Sequence, residues 1–167
     1  MATARPVSSI PRGFRLVQSH VVLRHGDRTP TFNCWEPMGA SGEESWAWAR
    51  KLPRVAEVED QESAFVVDRP AGVEPRDSNL GVFGSLTRRG LAQTNAVGRA
   101  LREDYGERLG GDATNILTYT SNFNRTQRSV QSMLCGLLGV DDEGGVGGGL
   151  GKIPVHVTAD PSTDHIK

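Results

Sequence analysis

Residues 23–30 read LRHGDRTP and follow directly on the apolar pair Val21-Val22. Arg24 and Arg28 flank His25 so closely that their guanidinium groups repel each other and raise each other's desolvation cost. Such a cluster makes physical sense when an anion sits among the charges. Phosphate fits best, because each arginine can offer a planar fork of donors to two of its oxygens. The same cations favour a neutral imidazole at neutral pH, which leaves one ring nitrogen of His25 free to attack phosphorus. Gly26 lets the backbone turn sharply and approach a ligand, Pro30 helps to fix the loop, and Asp27 reads as a loop or surface residue.

Working outward, Phe14 to Leu23 (FRLVQSHVVL) mixes alternation with a final apolar run, as expected of a strand buried on both faces. Residues 31–80 carry no sustained period, with an acidic stretch (EVEDQE), prolines 53, 70 and 75 and scattered tryptophans. They read as a long insertion or small cap outside the core. From Thr87 to Leu109 the spacing is helical, with Ala92, Ala96 and Ala100 recurring beside Val97, Leu101 and Tyr105. Thr87 is the expected N-cap and Gly110-Gly111 the expected stop. Asn115 to Tyr119 reads as a strand. Residues 121–124 (SNFN) supply caps for a second helix from about Arg125 to Leu138, so an arginine again follows a strand. DDEGGVGGGLG is a flexible link and KIPVHVTA a last strand. Alternating strands and helices predict an α/β fold, a three-layer sandwich with a mostly parallel sheet. Ligands bind beyond the carboxyl ends of the strands of such sheets, where both arginine-bearing loops fall.

The totals limit the function classes. A chain of 167 residues with 37% hydrophobic and 23% charged residues suits one globular domain, with residues 1–13 a flexible N-terminus. A formal net charge of −1 provides no field to gather nucleic acid or an anionic membrane, so any basic site is local. No run reaches the length of a membrane span, and the N-terminus lacks the apolar core of a secretory signal, so a soluble, cytoplasmic protein is expected. Cys34 and Cys135 fit neither a disulfide framework nor a metal-ligand spacing; no metal or cofactor is expected. The glycine-rich stretch fails as a phosphate-cradling P-loop. Counting back from Gly151-Lys152, Val146 occupies the first glycine position, and Ile153 stands where Ser or Thr is needed.

Residues 24–30 match the Arg-His-Gly-x-Arg-x-Pro signature of the histidine acid phosphatases, branch 2 of the histidine phosphatase superfamily. Five fixed positions would match by chance in fewer than about one in ten thousand chains of this length. Leu86-Thr87-x-x-Gly90-x-x-Gln93, with Gly98, Leu101-Arg102 and Tyr105, resembles the family's first long helix. Residues 121–126 (SNFNRT), with Ser129 and the Leu134-x-Gly136-Leu137-Leu138 tail, resemble the segment carrying its third phosphate-binding arginine. Tyr119 and Asn124 depart from the usual arginine and aspartate there. The resemblance covers most of residues 14–160, and the long stretch holding FNCWEP is most like the lysophosphatidic acid phosphatase type.

The resemblance implies a phosphoglycerate mutase-like fold and hydrolysis of phosphate monoesters. It makes His25 the nucleophile that forms a phosphohistidine, and Arg24, Arg28 and Arg125 the clamp on the phosphoryl oxygens, with no metal. Arg88, Arg89 and Arg99 read as a solvated helix face. The family completes its site with a His-Asp pair that protonates the leaving alcohol. Asp164-His165 has the reverse order in an unpatterned stretch and is not expected to be that pair. Residues 14–167 therefore read as the N-terminal portion of such a phosphatase, with an incomplete sandwich. The alternative is a phosphate-binding or regulatory fragment that does not turn over. A mutase-like activity is a more distant third reading, because that branch lacks the Arg-x-Pro half of the signature. The alcohol and the oligomeric state are open.

Overall fold

The computed structural model describes residues 13–34, 41–109, 113–140 and 152–158. In chain order they form α1 (Ser41–Ala49), α2 (Val55–Glu62), β1 (Phe65–Asp68), α3 (Arg88–Leu109), a single 3-10 turn (Ala113–Asn115), β2 (Tyr119–Ser121), α4 (Asn124–Leu138) and β3 (Ile153–Thr158). The three strands make one all-parallel sheet in the order β1-β3-β2, giving the α/β class expected.

The pattern of β3 shows why it takes the centre. Ile153, Val155 and Val157 are buried while Pro154 is exposed, the two-residue period of a strand with one face on the core. Pro154 has no N–H, which normally bars it from a central strand. Here Ile153 N–H donates to Ala64 O on the β1 side, and His156 N–H donates to Thr118 O on the β2 side. By that alternation the nitrogen of Pro154 points toward β2, which starts only opposite His156, so no ladder bond is lost.

Helix α4 lies over this sheet. Val130, Leu134 and Cys135 join Phe65, Ile153 and Val155 in the core, and Leu134 and Cys135 are wholly buried. Each such side chain contributes roughly 1.5–3 kcal/mol by leaving water. Helix α3 packs along α4 by close backbone approach. A Cβ at Gly98 would strike the carbonyl of Met133, and one at Gly136 would strike that of Asn95. The buried row of α3 is accordingly Leu91, Thr94 and Gly98, whereas Ala92 and Ala96 face solvent. The expected helix is present, but the alanine repeat does not mark its packed side.

Three other expectations need correction. Residues 14–23 form no strand. Phe14, Val17 and Val22 are strongly exposed, and Leu23 alone of the run's end packs against the core. A strand is stabilised by its partner, and among the described residues this run pairs with none of the three strands. Within 31–80, expected to lie outside the core, β1 is a strand of the sheet and Ala64 and Phe65 are core residues. Four residues are too short a run to show a period amid α1, α2 and the prolines. The strand read at 115–119 begins at Tyr119, because Ala113–Asn115 is taken up by the 3-10 turn. Cys135 is buried and Cys34 exposed, and neither is in a disulfide. The N-terminal segment 1–12, the stop at Gly110-Gly111, the glycine-rich link at 141–151 and Asp164-His165 lie outside the described residues.

Candidate active site

The loop 24–30 is held in place by α3, α4 and the chain leading into α3. Thr29 N–H donates to Ser85 O at 3.0 Å, Ser85 N–H donates to Thr29 Oγ1 at 3.0 Å, and Gly84 N–H donates to Pro30 O at 2.6 Å. Arg28 and Leu86 form an isolated antiparallel bridge. Thr87 is the N-cap expected of it: its Oγ1 accepts from Gly90 N–H at 3.1 Å. The same hydroxyl donates to Asp27 Oδ2 at 2.7 Å, so Asp27 has the loop role expected of it. Gln93 Oε1 accepts from Asp27 N–H at 2.8 Å.

Gly26 is required here for a reason other than a turn. A Cβ on it would strike the carbonyl of Gly90, and a Cβ on Gly90 would strike that of Asp27, so loop and helix touch backbone to backbone. From the other side Gly26 N–H donates to Ser129 Oγ at 3.1 Å, and Ser129 Oγ donates to Arg125 O at 2.7 Å. The loop is thus fastened to the first two turns of both long helices, and α4 carries Arg125 in its first turn.

His25 Nδ1 lies 2.7 Å from Gly26 O. That carbonyl accepts only, so Nδ1 carries the proton and Nε2 keeps its lone pair. Burial, then the charges of Arg125, Arg28 and Arg24, hold the imidazole pKa below its ordinary value, against the opposing hydrogen bond to Gly26 O. The neutral form is therefore favoured, as the sequence suggested. Arg24, His25 and Arg28 line an open cleft of about 520 Å³ with Gly26, Asp27, Pro30, Gln93 and Trp48.

Arg125 is placed differently. It is close enough to be the first of the three arginines acting on His25, yet it does not line the cleft. Its Nη1 donates to Asp77 Oδ2 at 3.3 Å, its guanidinium lies 4.0 Å from the Phe123 ring centroid, and its Nε has no hydrogen-bond partner among the described residues. Burial and the nearby Arg28 lower its pKa, while Asp77 raises it. Asp77 also caps α4, Oδ1 accepting from Asn124 N–H at 2.7 Å, whereas the N-cap residue Phe123 makes no side-chain cap. The expected local caps at 121–124 are replaced by one from 47 residues earlier. Arg88, Arg89 and Arg99 are exposed, in keeping with a solvated face.

Asp77 and Trp48 were not read as site residues. Both lie in the unpatterned stretch 31–80, and neither a lone aspartate in PRDSN nor one tryptophan among three has a spacing that distinguishes it. Gln93 and Ser129 were visible only as positions of the resemblance.

The sequence model of the histidine phosphatase superfamily (branch 2) matches residues 15–165. The chain belongs to that family. Membership brings phosphatase-type chemistry in general. No curated protein matches the chain. Among the described residues no helix is long and apolar enough to cross a membrane, and no cluster of His, Cys, Asp or Glu could hold a metal ion.

Proposed function

We propose that the chain hydrolyses phosphate monoesters through a phosphohistidine, as an acid phosphatase of this family. The observation that carries the reading is the His25 Nδ1 contact with Gly26 O, which leaves Nε2 unprotonated beside three arginines. In the first step the Nε2 lone pair forms the N–P bond as the P–O bond to the alcohol breaks, and the alcohol oxygen takes a proton from solvent water, leaving hydroxide. Water then attacks phosphorus, the N–P bond breaks, and phosphate leaves with Nε2 restored. Arg24, Arg28 and Arg125 stabilise the charge on the equatorial oxygens, Arg125 after its guanidinium swings toward the cleft. Each charge-assisted bond is worth about 1.5–3 kcal/mol, so losing one arginine slows the reaction roughly ten- to a hundredfold.

A second reading has its own observation. Among the described residues Asp27 is the one carboxylate lining the cleft, and its Oδ2 is engaged by Thr87. On this reading the chain is a catalytically incomplete phosphate-binding or regulatory fragment that holds the anion without turnover. The two readings separate in one experiment: incubation with a labelled aryl phosphate, quenching, and detection of acid-labile, base-stable phosphohistidine. Label on wild type and none on His25→Ala supports hydrolysis. Saturable vanadate binding without label supports the binding portion, and neither result overturns both.

A further inference from the structure

Besides the residues of the loop 24–30 and Gln93, α1 contributes to the lining of the cleft. Among the described residues Trp48 is the single aromatic one lining it, and it is firmly held. Its Nε1–H donates to Oε1 of the fully buried Glu44 at 3.0 Å, and the Lys51 ammonium sits 4.4 Å from its ring centroid. The turn after α1 is tied to α3 by Arg88, whose N–H donates to Lys51 O at 2.9 Å and whose Nη2 donates to Arg50 O at 2.6 Å. The indole is therefore a preset wall whose only polar atom is already engaged.

We propose that Trp48 determines specificity for the organic half of the ester and favours phosphates of flat, apolar alcohols, aryl monoesters above all. The proposal rests on the phosphate-site reading above. A cleft of about 520 Å³ has room for a group beyond the phosphoryl. Outside the cationic cluster, the Gln93 carbonyl is bonded to Asp27 N–H, Asp27 Oδ2 to Thr87, and the Trp48 N–H to Glu44, so part of the polar lining is already engaged. The indole and Pro30 give the cleft an apolar surface that rewards apolar contact and ring stacking.

Non-hydrolysable phosphonates test this without requiring turnover. Calorimetry of the whole chain compares inorganic phosphate, methylphosphonate and phenylphosphonate. The expected result is phenylphosphonate binding about five- to tenfold tighter than methylphosphonate. Trp48→Leu, which keeps apolar volume without the ring, abolishes that preference; Trp48→Phe retains most of it; and both bind inorganic phosphate within about twofold of wild type. A wild type without the preference overturns the proposal. So does a Trp48→Leu that keeps it, or one that weakens all three ligands equally. Failure of wild type to bind inorganic phosphate overturns the phosphate-site reading itself, and this proposal with it.

Discussion

Asp77 joins the helix cap of α4 to the guanidinium of Arg125: one carboxylate oxygen accepts from Asn124 N–H at 2.7 Å and the other from Arg125 Nη1 at 3.3 Å. The side chain is 3% exposed against 13% for Arg125, so the pair is largely shielded from water. Removing one partner of a buried pair leaves the other uncompensated and typically costs about 3–5 kcal/mol; loss of a cap alone costs about 1 kcal/mol. Asp77→Ala is expected to destabilise the protein by roughly 3 kcal/mol in urea unfolding, and Asp77→Asn, which keeps the cap oxygen, by clearly less. Equal values for the two would show that the charge of Arg125 does not matter to the fold.

The lowered pKa of His25 makes stability depend on pH with a definite sign. Between its folded value and the ordinary 6.5 of the unfolded chain, the unfolded state binds more protons, so stability rises with pH across that window. The His25 contribution is complete above pH 6.5 and is lost as pH falls, levelling off below the folded pKa. His25→Gln should remove this dependence. Vanadate, by offsetting the arginine charge, should move the imidazole resonance's titration upward in NMR; no movement would place the anion elsewhere.

Gly90 sits where Asp27 passes against α3. Gly90→Ala is expected to lose phosphate binding and to destabilise by about 1–3 kcal/mol, the usual range for overpacking, even though alanine is the better helix former. A stabilised variant that still binds phosphate would show that loop and helix can part at no cost.

Ser129 is 1% exposed and is the acceptor for Gly26 N–H. Ser129→Ala leaves that N–H without its acceptor, a penalty of about 1–3 kcal/mol if it stays dry. Phosphate affinity should fall several-fold as the His25 loop loosens, while the helical circular dichroism stays unchanged. Ser129→Thr should recover part of the loss.

Much of this site is legible in the sequence because its parts are local. Residues 24–28 lie within five positions, Thr87 caps a helix that starts one residue later, and Arg125 opens the next helix. What escaped were relationships that only tertiary structure creates. Asp77 caps a helix 47 residues away, and Gly26 and Gly90 matter to each other. The apolar run 14–23 failed as a strand because hydrophobicity permits pairing without providing a partner, while β1 was hidden by being only four residues long.

The bond from Gly26 N–H to Ser129 Oγ closes a separation of 103 residues. Contacts that distant carry the entropy of closing a long loop and form more slowly than local ones. The His25 loop is therefore expected among the last parts to assemble. A phosphate that binds only the finished loop adds RT ln(1 + [L]/Kd) to the stability of the whole chain. Recovery of anion binding during refolding then serves as a clock for the final event, later than the appearance of helix.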